Sequence, residues 1–359
     1  MDSVKWRVLV IDDKVEMTND ASREISDAFE GSDLDVEVLV ENDFHHGYQR
    51  VAAGECDIVV LDVRRDRGTE PEDRVRGRRV YSEIRETRFI PVIFWTALPD
   101  EVIDSEMEPL VRVFAKEDLS KVPDAIKAAI SSGVVNVMSE IESHVAGVMR
   151  SYLWEELAPN WQEDTGGDPK EVAYMLITRI ASSLRARNIS GLMGRASHRY
   201  VYPPVSDALE SGQLVQRTRQ RAGEAVQEWC VVLTPACDLV QGKADFVLLA
   251  RAYPLDGVQR FKDWTANSSS RAKWNELERL LAGGLPRYTY LPAFRDIPDL
   301  IVDFEDTFTV AARLMRPYKA KASLSSPFSE AVLAKHSQFL GRIGTPDLDL
   351  GPIKARLTP

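Results

Sequence analysis

Through residues 5–130, short apolar runs rich in Val and Ile alternate with longer mixed segments. The runs are Trp6–Ile11, Val36–Val40, Ile58–Val63, Ile90–Trp95 and Val111–Ala115. Short runs this rich in Val and Ile suit parallel strands buried on both faces. Between them, Val15–Phe29, Phe44–Ala53, Arg78–Arg85 and Leu119–Ile130 read as helices; Met17, Ala21, Ile25 and Phe29 fall at helical spacing. Strand-helix alternation predicts an α/β domain over 1–130, a doubly wound five-stranded parallel sheet of flavodoxin-like type. The binding crevice of such a sheet lies beyond the carboxyl ends of its strands.

The pattern changes after residue 130. Ser131-Ser132-Gly133 breaks a helix, and Val134, Val137, Met138, Ile141, Val145, Val148, Met149 and Tyr152 then form one apolar stripe over 131–157. That stripe fits a helix packed on another helix, either its own copy in a homodimer or the next part of the chain. A second helix is expected from Asp168-Pro169, a cap followed by proline, with Val172, Met175, Leu176, Ile180 and Leu184 on one side. Residues 131–190 thus read as a helical connector. From 191 to 359 the chain reads as an α+β domain with a small, mostly antiparallel β core. Its strand candidates are Tyr200–Tyr202, Gln213–Val215, Trp229–Leu233, Phe246–Ala250, Tyr288–Leu291 and Leu300–Asp303. Ser269–Leu281 and Pro327–Leu340 are its helix candidates.

Composition adds little to this division, but charge adds something. Of 359 residues 44% are hydrophobic and 28% charged, ordinary values for globular protein. No apolar run approaches the ~20 residues that span a bilayer. The first strand begins within an acidic N-terminus unlike a signal peptide, so a cytoplasmic location is expected. Residues 1–130 hold 30 Asp+Glu against 18 Lys+Arg, leaving 56 − 30 = 26 acids and 45 − 18 = 27 bases beyond them. An acidic first domain is a poor match for nucleic acid. Cys56, Cys230 and Cys237 are too few for a disulfide framework, and with His198 they lack zinc-ligand spacing. Reduced and mostly buried thiols are expected.

The polar residues at the strand ends carry the chemistry. Asp12 and Asp13 follow the first strand, Asp62 lies near the end of the third, Thr96 ends the fourth and Lys116 follows the fifth. All five should meet at one sheet edge. Clustered carboxylates repel one another unless a cation joins them, and hard oxygen ligands suit Mg²⁺. A carboxylate beside a metal, an ammonium and a hydroxyl can attack a phosphoryl group. In order and context, Asp12-Asp13, Asp62, Thr96-Ala97 and Lys116 resemble the signature of the receiver domain of two-component response regulators, over about the first third of the chain. The resemblance implies that Asp62 accepts the phosphoryl group and that Asp12, Asp13, Asp62 and the Arg64 carbonyl hold Mg²⁺. It further implies that Lys116 contacts the phosphoryl group, that Thr96 senses it, and that a histidine-kinase-like protein donates it. Two positions depart from the family: Glu117 stands where proline usually follows the lysine, and Val113 where an aromatic usually stands. Either the phosphate is read differently, or the domain is a docking module with its pocket intact.

Three further features need weighing. Residues 64–79 hold seven arginines (Arg64, Arg65, Arg67, Arg74, Arg76, Arg78, Arg79) against four acids, in a loop longer than receivers usually carry. That loop is solvated, or binds the phosphodonor, or folds an arginine onto phosphorylated Asp62. Cys237-Asp238 reads chiefly as a buried Cys beside a turn-capping Asp; a reactive thiol would need His198 as base. The segment around it loosely resembles uncharacterised bacterial proteins, some fused to receiver-like domains and connected with phage defence. Finally, residues 178–221 contain eight arginines and two acids, the one basic patch that could touch nucleic acid, yet no helix-turn-helix, winged helix or zinc module is evident. The expectation is a response-regulator-like signalling protein, at most self-phosphorylating, with an output domain that does not bind DNA. The alternatives are a phosphorylation-independent scaffold of a defence complex, and a nucleic-acid-binding or nucleolytic effector acting through the C-terminal half.

Overall fold

A computed structural model describes residues 5–63, 76–186, 195–221, 223–342 and 350–357. The chain divides into two units, Met1–Arg187 and Asn188–Pro359.

In the first unit β1 (Lys5–Ile11), β2 (Asp35–Glu41), β3 (Ile58–Leu61), β4 (Val92–Thr96) and β5 (Val111–Ala115) form one parallel sheet in the order β2-β1-β3-β4-β5. Every residue of β3 and β4 is buried, which is why both read as continuous apolar runs. Strand β2, at the sheet edge, is only partly covered. Helices α1 (Val15–Phe29), α2 (Phe44–Ala52), α3 (Arg76–Thr87) and α4 (Val122–Ser131) cover the sheet. Ala21, Ile25 and Phe29 of α1 join Ile126 and Ala129 of α4 over one face. Phe44 and Val51 of α2 join Val80, Tyr81 and Ile84 of α3 over the other. The doubly wound architecture is therefore present. Between β4 and β5 the chain makes two 3₁₀ turns, Pro99–Glu101 and Ile103–Ser105, instead of an α-helix.

Helix α5 (Val134–Ser151) continues into a π-helical turn, Tyr152–Leu157, and is followed by α6 (Trp161–Thr165) and α7 (Pro169–Ala186). Helix α5 packs on α7 and meets α4. The expected stripe of α5 is only half used: Val145, Val148 and Met149 are half-buried, whereas Val137 and Ile141 remain 54% and 40% exposed. Asp168 caps α7, accepting from Lys170 N at 2.9 Å.

The second unit holds β6 (Tyr200–Val201), β7 (Gln213–Arg221), β8 (Glu224–Val232), α8 (Ala236–Val240), β9 (Phe246–Pro254), α9 (Gln259–Ala266), α10 (Arg271–Leu281), β10 (Tyr288–Leu291), β11 (Leu300–Ala311), β12 (Lys319–Leu324), α11 (Phe328–Leu340) and α12 (Leu350–Leu357). Its strands form one seven-stranded antiparallel sheet, β10-β11-β9-β8-β7-β12-β6. The β core is antiparallel as expected, and its strands run further than their apolar stretches. Glu224–Gln227 of β8 are exposed, so only Trp229–Val232 announced that strand. One sheet face packs against Val332 and Phe339 of α11, the other against Leu209, Leu239, Met315 and Tyr318.

His336 of α11 is buried, its ring 5.6 Å from that of Phe304. Burial disfavours the imidazolium and pulls this histidine below its ordinary value. An unfolded chain takes up that proton at about pH 6.5, so unfolding gains a proton below that pH while the folded domain resists it. Stability should fall as pH drops through that window. Urea midpoints at pH 7.5 and 5.5 should differ more in the native chain than in His336→Leu.

Candidate phosphoryl-acceptor site

The parallel register places the site. Strands β1 and β3 align Ile11 with Leu61, so the next residues, Asp12 and Asp62, emerge side by side. The Asp62 N–H donates to the Ile11 carbonyl at 2.9 Å and locks that offset. Strands β4 and β5 align Thr96 with Ala115, which brings Lys116 to the same edge. Asp12 is 1% exposed and Asp62 9%. Asp12, Asp13 and Asp62 each offer a carboxylate oxygen, all within 4.8 Å of one another, the only such acidic, His or Cys group among the described residues. Cys230, Cys237 and His198 form no comparable group.

Lys116 bridges two of the carboxylates. Its ammonium donates to Asp12 Oδ2 and stands 3.3 Å from Asp62 Oδ1. It also lies 3.7 Å from the centroid of the Trp95 ring, while Trp95 Nε1 donates to the Lys116 carbonyl at 3.1 Å. Trp95 thus fixes both ends of the lysine, by cation–π attraction and by a main-chain bond. Asn42 does the same for Asp12: its Nδ2 donates to the Asp12 carbonyl at 2.8 Å and to Thr18 Oγ1 at 3.2 Å. Neither residue stood out in the sequence. Trp95 precedes Thr96, which was a signal; Asn42 follows a different strand, and only the sheet order brings it to Asp12.

Burial pushes the Asp62 carboxyl above the ordinary carboxylate value; Lys116 pulls it down and Asp12 pushes it up again. Asp62 Oδ1 is buried and accepts no hydrogen bond. An orphaned carboxylate oxygen beside two more carboxylates is a donor set for a hard divalent cation, and the residues present fit Mg²⁺ on chemistry and spacing. The Arg64 carbonyl, named by the resemblance as a further ligand, lies outside the described residues, as does most of the arginine-rich loop 64–79.

Thr96 is fully buried, and its hydroxyl is engaged on both sides. It donates to the Val63 carbonyl at 3.1 Å and accepts from Leu98 N at 3.0 Å. Val113 packs with the α2–α3 face, whereas its neighbour Phe114 packs with the α1–α4 face beneath Arg112. Alternation along β5 therefore keeps Phe114 off the face that Val113 occupies. Lys116 opens a 3₁₀ turn, Lys116–Lys121, that includes Glu117.

The second candidate site requires a correction. Cys56 and Cys230 are buried, and burial pushes both thiols up to about 12. Cys237, expected to be buried, is exposed on the short helix α8. Its thiol faces Asp238 Oδ1 at 3.7 Å. The turn is closed by the Asp238 carbonyl, which accepts from Lys243 N at 2.9 Å and Ala244 N at 3.2 Å, not by the Asp238 side chain. His198 serves the fold through its carbonyl, which accepts from Ser325 Oγ.

Several arginines of the 178–221 patch have local partners. Arg217 and Arg219 bind Glu228, Arg199 lies over Phe328, and Arg179 lies over Tyr152.

Removing the bridging ammonium should unbalance the site. Breaking a buried pair costs about 3–5 kcal/mol. Lys116 is 20% exposed, so Lys116→Ala should cost about 3 kcal/mol in metal-free urea melts, the low end of that scale. Adding Asp62→Asn should recover part of the loss, because it removes the charge left facing Asp12.

No family model matches the chain, and no curated protein matches it. Solved structures do. A two-component transcriptional regulator AraC from Clostridium phytofermentans ISDg is 18% identical over 37% of this chain and 98% of its own, with a TM-score of 0.28. A response regulator from Desulfuromonas acetoxidans is 13% identical over 37% of this chain and 97% of its own, with a TM-score of 0.24. The RcsB response regulator of Salmonella typhimurium is 16% identical over 54% of this chain and 94% of its own, with a TM-score of 0.27. What ties the first unit to receivers is its sheet order together with the side chains at its strand ends. No described helix is long and apolar enough to cross a membrane. Over about 37% of the chain the first unit is similar in fold to these receiver structures, and Asp12, Asp13 and Asp62 cluster at the carboxyl edge of its sheet.

Proposed function

We propose that this chain is a response-regulator-like signalling protein in which Asp62 accepts a phosphoryl group from a histidine-kinase-like donor. The reading rests above all on the buried, hydrogen-bond-free Asp62 oxygen 3.3 Å from Lys116 and within a carboxylate triad. Asp12, Asp13 and Asp62 would hold Mg²⁺. That ion, when bound, neutralises charge on the phosphoryl oxygens. Asp62 attacks phosphorus with a carboxylate oxygen, the bond from phosphorus to the donor nitrogen breaks, and the imidazole leaves with the electron pair. Lys116 is placed to shift from Asp12 toward the new phosphoryl oxygens. Thr96 would read the event through its bond to Val63, the residue after Asp62. The output is the second unit, controlled without DNA binding; a place in phage defence rests only on the loose resemblance of the segment around Cys237. A homodimer through the 131–157 helix fits the exposed Val137 and Ile141.

A second reading has a specific observation in its favour. The hydroxyl of Thr96 is already tied, and Phe114 packs on the wrong face to serve as the family's moving aromatic. A docking module that keeps the pocket but never cycles would look the same. Incubation with Mg²⁺ and acetyl phosphate separates the two. Intact-mass spectrometry should show the gain of one phosphoryl group, abolished in Asp62→Ala and after chelation. Mg²⁺ alone should also change tryptophan emission through displacement of Lys116 from the Trp95 ring, and Trp95→Phe should lose that part of the change. Absence of any mass gain, with Mg²⁺ binding retained, would leave the docking reading.

A further inference from the structure

Helix α7 is apolar on two sides. Val172, Met175, Leu176 and Ile180 are half-buried, and this helix packs on α5. On the side away from these, Tyr174 and Ile177 are 70% and 67% exposed and Ala181 is exposed as well; Leu184, expected on the side of Val172 and Ile180, stands at the border between the two sides and is 39% exposed. Their spacings of three, four and three residues are those of a coiled-coil seam, with Tyr174 and Ala181 at one core position and Ile177 and Leu184 at the other. Lys170, one turn earlier, ends the seam.

The edge of this seam says what covers it. Glu171, Thr178 and Arg185 lie seven residues apart along one flank, and Glu171 and Arg185 are exposed. Within a single helix the two charges sit ~21 Å apart at 1.5 Å per residue, too far to pair. A second copy of α7 laid antiparallel brings them together. Tyr174 then meets the partner's Leu184, and Ile177 meets the partner's Ala181, so large residues face smaller ones. The same flank meets itself: Glu171 lies against the partner's Arg185, twice by symmetry, with Thr178 near the two-fold axis. A parallel pair would place Ala173 and Ile180, from the other flank, against this edge and leave the charges unmatched. We propose that α7 is a self-association surface, on which a second copy of this chain seats antiparallel through Tyr174, Ile177, Ala181 and Leu184. The contact is isologous. Four side chains per copy cover less than the roughly 1,000 Å² typical of stable complexes, so the dimer should be concentration-dependent.

Sedimentation velocity of the full chain over a concentration series tests this. A monomer–dimer equilibrium is expected, weakened at least 100-fold by Ile177→Glu, since two copies of the charge enter one seam. Ile177 is exposed, so the variant should keep the native circular dichroism. Glu171→Arg and Arg185→Glu should each weaken the dimer, and the two combined should restore it. With Cys237→Ser removing the exposed native thiol, Thr178→Cys should form a disulfide-linked dimer on oxidation, lost again with Ile177→Glu. A chain that stays monomeric to its highest soluble concentration would overturn the proposal. So would a dimer indifferent to Ile177→Glu, or one that the double charge swap fails to restore.

Discussion

Two buried carboxylates share one sheet edge because a single ammonium stands between them. Carboxylates buried this close together repel one another unless a cation stands between them. Lys116 supplies it from the end of β5, and Trp95 fixes where Lys116 can stand. Nothing local to any of these residues creates the arrangement. The β1–β3 register sets the two aspartates side by side, and the β4–β5 register delivers the lysine. A slip of one residue in either pairing would turn the chemistry to another face of the sheet. The fully buried Val and Ile of β3 and β4 hold that register, because every alternative exposes apolar surface. Core and site are thus one constraint. The compensation is also partial: Asp62 keeps one oxygen without a hydrogen bond, and that residual cost is what a divalent cation would relieve.

The second unit solves the same problem with guanidinium. Glu228 accepts from Arg217 and, at 3.3 and 3.0 Å, from Arg219 and Arg251, and Arg251 continues to Asp306 at 2.6 Å. Asp303 is held by both arms of Arg287, at 2.7 and 2.6 Å. Arg217 and Arg251 also stack on Tyr318 and Phe308. Arginines used this way are bound at fork and face, which suits a structural role. They are correspondingly less available to track a phosphate backbone. Arginine counts in this half of the chain overstate its basic surface.

The sequence spoke clearly where burial was complete on both faces. The parallel sheet, its helices and the convergence of Asp12, Asp13, Asp62, Thr96 and Lys116 were legible, because buried strands leave uninterrupted Val and Ile runs whose ends mark the crevice. The antiparallel sheet was legible only in its covered middle. Strand β12, Lys-Ala-Lys-Ala-Ser-Leu, alternates too weakly in hydrophobicity to announce itself, the exposed outer part of β7 is polar, and that of β8, Glu-Ala-Val-Gln, is mixed. The exposure of Cys237 was missed because a strand-like run precedes it; the chain leaves that strand at Val232 and reaches Cys237 on a short helix. Asn42 and Trp95 were missed as site residues because they touch backbone and ring faces, interactions with no sequence spacing of their own.

The same bonds limit how a signal could leave the pocket. In this chain the aromatic of β5 lies on the face away from Val113, so an inward swing of that ring is not available. What does run outward from Asp62 is a short series of hydrogen bonds: the Val63 carbonyl to Thr96 Oγ1, and Thr96 Oγ1 to Leu98 N. Leu98 begins the stretch that makes two 3₁₀ turns in place of a helix and leaves Ile103 and Met107 47% and 54% exposed. Short 3₁₀ turns have few internal bonds to break. A pull of Val63 with Asp62 would release Thr96 and act first on the least regular element of the sheet edge, in a stretch carrying five acids, Asp100, Glu101, Asp104, Glu106 and Glu108. Contiguity alone does not make coupling; two arrangements must exist for the pocket to bias. The β4–β5 stretch is the element here with the fewest obstacles to having two, since neither a helix nor a swinging ring has to move with it.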